Sequence, residues 1–132
     1  MEKIIHVAGK RKSAIARVTL KKGTGNVKVN NLNLDCYEPK IARLKIKEPL
    51  LLVKHISDKF DINVNVSGGG FMSQAEAARL AIGRALVIYD QNLKKLFLEY
   101  DRRLLVADVR RKESAKPNSH GQARAKRQKS YR

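Results

Sequence analysis

Three groups of residues in this sequence have the chemistry to act on or hold a ligand: a glycine triplet, a few imidazoles with one thiol, and clustered bases. Gly68-Gly69-Gly70 precedes Ser73-Gln74-Ala75-Glu76. That second run has the spacing of a capping box, in which the Ser73 hydroxyl accepts from the Glu76 amide and the Glu76 side chain reaches back to Ser73. A helix start behind a glycine turn offers free amides and a positive dipole end to a phosphate. It is not a Walker loop, because no Gly-Lys-Ser/Thr follows. The plainer reading is a tight strand-to-helix turn; the functional one rests an RNA phosphate on Gly69 and Gly70. His6, His55 and His120 lie far apart, without metal-ligand spacing and beside no nucleophile motif. Cys36, the single cysteine, excludes an internal disulfide and reads as a small packed residue. Asp58, Asp61, Asp101 and Asp108 read as partners of the surrounding bases. Nothing here supports catalysis, and no cofactor or metal is implied.

The bases carry the stronger signal. The chain has 132 residues and a formal net charge of +17. Gly9-Lys10-Arg11-Lys12 leads into a strand from which Arg17 projects. A second cluster runs through Arg110, Arg111, Lys112 and Lys116 to Arg124, Lys126, Arg127, Lys129, Ser130, Tyr131 and Arg132. Residues 109–132 hold nine Lys or Arg and one acid, Glu113, so nearly half the net charge sits in under a fifth of the chain. That stretch has no Leu, Ile, Phe, Met or Trp and cannot bury enough apolar area to offset the entropy of ordering itself. Such charge calls for an anionic partner, with nucleic acid the commonest. Tyr131 is the only aromatic in the segment, which favours phosphate contact over base stacking. The longest apolar runs fall far short of the roughly 20 residues needed to span a bilayer, and no secretory signal opens the chain. The expectation is a soluble intracellular protein with no membrane partner.

Hydrophobic patterning supplies the elements that must position these groups. Residues 12–20 alternate as a strand with Ala14, Ala16, Val18 and Leu20 on one side. Residues 3–8 suit an additional strand, 26–30 a short one, and Asn30-Asn31 a tight turn into 32–34. Pro39 and Pro49 suit the first turns of helices near 38–46 and 49–57. Phe60–Ser67 alternates cleanly as a half-buried strand. A long helix runs from the capping box to about Tyr89, with an alanine-rich face allowing close approach to a sheet; Glu76, Arg79, Gly83 and Arg84 fall opposite. A second helix, about 92–100, presents Leu93, Leu96, Phe97 and Tyr100, and residues 104–107 suit a last strand. The predicted organisation is a domain over 1–108 and an extended basic tail over 109–132.

With those motifs in view, the chain resembles ribosomal protein nine of the small subunit. Gly9–Val18 looks like that family's N-terminal signature, Val66–Ala77 its central motif, and Leu105–Asp108 with Arg124–Arg132 its C-terminal part. The Gln-Lys-Ser-Tyr-Arg ending is similar to the archaeal and eukaryotic branch, and the short N-terminus to the archaeal type. The resemblance implies an α+β fold: a mixed four- or five-stranded sheet backed by helices, shared with the second domain of ribosomal protein five. A left-handed βαβ crossover comes with it, against the usual handedness. It also implies a cytoplasmic, ribosome-bound protein on the 3′ major domain of ribosomal RNA, in the subunit head beside neighbouring head proteins. By that pattern Lys10, Arg11, Lys12, Arg17, Gly69, Gly70, Arg110, Arg111, Lys112, Lys116, Arg124, Lys126 and Arg127 bind ribosomal RNA. Lys129, Ser130, Tyr131 and Arg132 approach the anticodon stem-loop of peptidyl-site tRNA. Two departures stand out: Val109 replaces the branch's usual proline, leaving the tail's exit less rigid, and residues 116–123 lack its glycine-rich stretch. The alternatives are a small kinase-like enzyme using the Gly68–Gly70 turn, which would bind ATP and magnesium alone, and a basic chromatin protein, which would bind duplex DNA as well as RNA.

Overall fold

Strict alternation along four segments turns every buried side chain to one side of a single sheet. The structure, a computed structural model, describes residues 2–119, 121–124 and 130–131. Strands β1 (Ile5–Arg11), β2 (Ala14–Lys22), β3 (Val27–Val29), β4 (Leu32–Asn33) and β5 (Phe60–Ser67) lie in the order β1-β2-β5-β3-β4. All neighbours are antiparallel except β3 and β5, which run parallel. The sheet is therefore mixed and five-stranded, in an α+β fold. Asn30 and Asn31 hold φ of 49° and 66° in the β3–β4 turn, the left-handed pair that asparagine tolerates. Ala14, Ala16, Val18 and Leu20 meet Phe60, Ile62, Val64 and Val66 on the core face.

Helices α1 (Lys40–Leu52), the one-turn α2 (Lys54–Ser57), α3 (Phe71–Tyr89) and α4 (Leu93–Tyr100) complete the fold. α3 packs across β1 and β2, and α1 packs on α3. The expected close approach is observed: a Cβ on Gly9 would stand 2.5 Å from the Ala77 carbonyl oxygen and 2.8 Å from the Ala81 nitrogen. No helix among the described residues is long and apolar enough to cross a membrane.

Five expectations need correction. The second proline starts no helix: Pro39 caps α1 and Pro49 lies inside it, fully buried with Ala42 and Ile46, while the rest of the expected 49–57 helix is the one-turn α2. Packing of that face outweighs the backbone hydrogen bond a mid-helix proline forfeits. The capping box does not form, because α3 begins at Phe71 with Gly70 as its cap, three residues before Ser73. Gln74 instead donates to the Gly68 carbonyl at 3.0 Å, and Glu76 pairs with Arg11. The face of α3 opposite the alanines is not solvated either. Arg79 and Gly83 are buried beneath segments that helical periodicity cannot reveal. Residues 104–107 form no strand; a 3-10 turn, Arg102–Leu104, delivers Leu104 to the core and lies against Gly83. Finally, Cys36 is exposed, since Leu34 takes the buried place in its turn.

Candidate nucleic-acid interface

The short β1–β2 connection sets out the first basic cluster. Pleating sends successive side chains to opposite faces, so Lys10 and Arg11, though adjacent, part company. Lys10 is exposed on the face away from the helices, while Arg11 turns toward α3. Lys12 occupies the turn at φ 52° and is exposed. Arg17, exposed on the same open face as Lys10, stands between Ala8 and Asn65 on its two neighbouring strands. Thus Lys10 and Arg17 share a face and Arg11 does not.

Arg11 joins a charge cluster where the C-terminal segment leaves the fold. Its Nε lies 2.7 Å from Glu76, and its Nη1 contacts Asp108. The Asp108 side chain, only 7% exposed, also receives Arg103 at 3.2 Å and Arg110 at 2.7 Å. The Arg110 backbone amide donates to the same carboxylate at 2.9 Å. Three guanidiniums from β1, the 3-10 turn and the C-terminal segment therefore converge on one acid. Lys10, Lys45 and Arg79 help line the open recess of about 320 Å³ beside it. Arg79, buried in α3, bridges Glu48 of α1 at 2.6 Å and Asp101 at 2.9 Å. The Arg103 backbone amide and the Arg79 guanidinium hold Asp101 below the usual carboxylate pKa. Asp61 is lowered chiefly by the backbone amides of Thr24 and Asn26, both of which donate to it.

Gly68 and Gly69 sit at φ 75° and 63° against Ser13 and Ala14; a Cβ on Gly68 would come 2.6 Å from the Ser13 carbonyl oxygen. Their conformation is thus required by the turn itself. Gly70 has an ordinary φ of −96° and nothing within 4 Å of a Cβ placed on it, so its side is open at the start of α3. Arg111 and Lys112 are exposed beyond the last described element, and Ser130 and Tyr131 are exposed near the end. Lys116 and Arg124 both pair with Glu113, which lowers the Glu113 pKa. Lys126, Arg127, Lys129 and Arg132, with His120, lie outside the described residues. His6 and His55 are exposed, and His6 Nδ1 lies 3.1 Å from the Thr19 hydroxyl.

Sequence reasoning passed over the polar residues of β5, Asn63 and Asn65, which extend the Lys10–Arg17 face. The clean alternation of 60–67 is the signal that places them there. It also passed over Arg103, because nothing local ties that residue to Asp108.

The family model described as "Ribosomal protein S9/S16" matches residues 9–132. A Methanococcus vannielii protein named small ribosomal subunit protein uS9 is 45% identical over 133 aligned positions, covering 98% of this chain and 99% of its own. A protein of the same name from Methanococcus maripaludis matches to the same extent.

Proposed function

The chain belongs to the S9 family of small-subunit ribosomal proteins, of archaeal type, and from that premise we propose how it works within the particle. As a structural constituent of the small subunit it binds ribosomal RNA of the head, in the 3′ major domain, and works in the cytoplasm. The domain over 1–108 contributes Lys10, Arg11, Lys12, Arg17 and the amides at Gly69 and Gly70. Arg11 brings its charge to the RNA while remaining tied to Asp108. Residues 109–132 act as an extended basic tail in which Arg110, Arg111, Lys112, Lys116, Arg124, Lys126 and Arg127 neutralise phosphates. Lys129, Ser130, Tyr131 and Arg132 approach the anticodon stem-loop of peptidyl-site tRNA, with Arg132 on a backbone phosphate. Neighbouring head proteins complete the surroundings. The fold is read as that of the second domain of ribosomal protein five, with the connection from β3 to β5 as its left-handed crossover.

One observation supports this reading above others. Lys10, Lys12, Arg17, Arg111 and Lys112 are exposed with no carboxylate partner among the described residues, whereas Asp61, Glu76, Asp101, Asp108 and Glu113 are all engaged internally. The unmatched charge faces outward, where an RNA backbone would meet it. Removing Lys129–Arg132 is expected to leave incorporation into the head intact and to weaken peptidyl-site tRNA binding by the assembled subunit. Filter binding of tRNA to reconstituted subunits measures this, and unchanged binding would remove the tail's assigned role.

A further inference from the structure

The sheet has two faces, and among the described residues only one is covered. On the other, β1, β2, β5 and β3 present His6, Lys10, Arg17, Lys21, Asn63, Asn65 and Lys28 side by side, in a register that sets Arg17 beside Asn65, and Lys28 and Thr19 on either side of Asn63. Four cations stand there against one acid, Asp61, whose carboxylate is occupied by the amides of Thr24 and Asn26. No Phe, Tyr or Trp lies among the outward positions of these four strands, and His6 is the one aromatic ring there.

Asn63 and Asn65 are the informative pair. Asparagine is a poor strand former, yet both occupy the sheet's central strand, are exposed, and make no side-chain hydrogen bond among the described residues. By contrast Asn30 closes the β3–β5 edge through paired bonds to Val66. Structural need accounts for Asn30 and not for the other two.

Resting on the RNA-binding reading above, we propose that this open face binds duplex RNA across its minor groove. A face three strand spacings wide, about 14 Å, suits the wide, shallow A-form groove, which displays 2′-hydroxyls between two phosphate ridges. Asn63 and Asn65 hydrogen-bond the 2′-hydroxyls, while Lys10, Arg17, Lys21 and Lys28 meet the flanking phosphates. A single imidazole at the edge strand, with no Phe, Tyr or Trp, disfavours a run of splayed single-stranded bases as the occupant. Ala8, exposed between His6 and Lys10, keeps the edge strand low at its middle.

The test compares the full chain binding a short RNA duplex, a DNA duplex of the same sequence and the single-stranded RNA, by fluorescence anisotropy. The wild-type chain is expected to prefer the RNA duplex over the DNA duplex by roughly tenfold, the scale of one or two hydrogen bonds. Asn63→Ala combined with Asn65→Ala abolishes that preference with the salt slope unchanged, since the C-terminal phosphate contacts do not read the 2′-hydroxyl. Arg17→Ala lowers the slope by about one instead. Equal wild-type affinity for the two duplexes, tighter binding of the single strand, or a preference that survives the double substitution would overturn the proposal. Co-sedimentation of the same variants with reconstituted subunits reports the ribosomal reading separately: wild-type protein that fails to incorporate defeats that reading, whatever the duplex assay shows.

Discussion

Asp108 carries more of the local electrostatics than any other side chain. A carboxylate so little exposed is stable as an anion because Arg11, Arg103 and Arg110 surround it and Arg110 adds a backbone amide. Removing one partner of a buried pair costs more than the pair contributes, because the other charge is left desolvated. Arg103 and Arg110 are over half exposed and would return to water, so the loss falls mainly on Arg11, which is 16% exposed and would keep only Glu76 as a partner. Asp108→Ala is therefore expected to lower unfolding stability by about 2 kcal/mol. Urea unfolding of the full chain measures this; a loss below about 0.5 kcal/mol would mean that packing alone holds the corner. The sequence shows Asp108 among bases but not which bases, since Arg11 comes from the opposite end of the domain.

Between elements, the critical contact is β1 against α3. Alanine spacing along 75–85 announces a helix that can come close, and Gly9 lets the strand meet it. Gly9→Ala sets a methyl against the Ala77 carbonyl and the Ala81 nitrogen, both backbone atoms that cannot rotate away. The expected cost is about 2 kcal/mol, seen as a lower urea midpoint at unchanged slope; a midpoint equal to wild type would show that the helix shifts freely. Elements with a strong period of their own were legible: β2, β5, α3 and α4 follow their patterns. Those set by distant packing were not. Pro49 reads as a helix start because its local cost argues against an interior site, and burial on α1's packed face outweighs that cost. Leu104–Ala107 reads as a strand because four apolar residues in a row do not say which surface they meet. The clustered bases were legible as charge, but their division between an open sheet face and a buried corner follows from the pleat and from where β1 ends.

For the molecule as a whole, the formal +17 already sets its acids against its bases, and what RNA meets is the excess left outside the internal pairs. Counterion release still predicts a steep loss of affinity for small-subunit RNA, roughly a thousandfold between about 50 and 200 mM salt if six or more phosphates are engaged. That magnitude comes from duplex DNA, so the sign and steepness are what a titration by anisotropy checks; a flat response would contradict phosphate neutralisation. The Asp108 corner has one more consequence. In place of a rigid proline at position 109, a side-chain clasp grips the chain on both sides of Val109, through Asp108 and Arg110. The point at which the chain leaves the domain is therefore fixed by side chains. Glu113 pairs with both Lys116 and Arg124, and the Lys116 amide donates to the Gln122 carbonyl at 2.7 Å, so residues 113–124 turn back on themselves. A clasp of four side chains thereby makes the exit point part of the folded core's cooperativity, so that loosening Asp108 frees the start of the C-terminal segment as well as lowering stability.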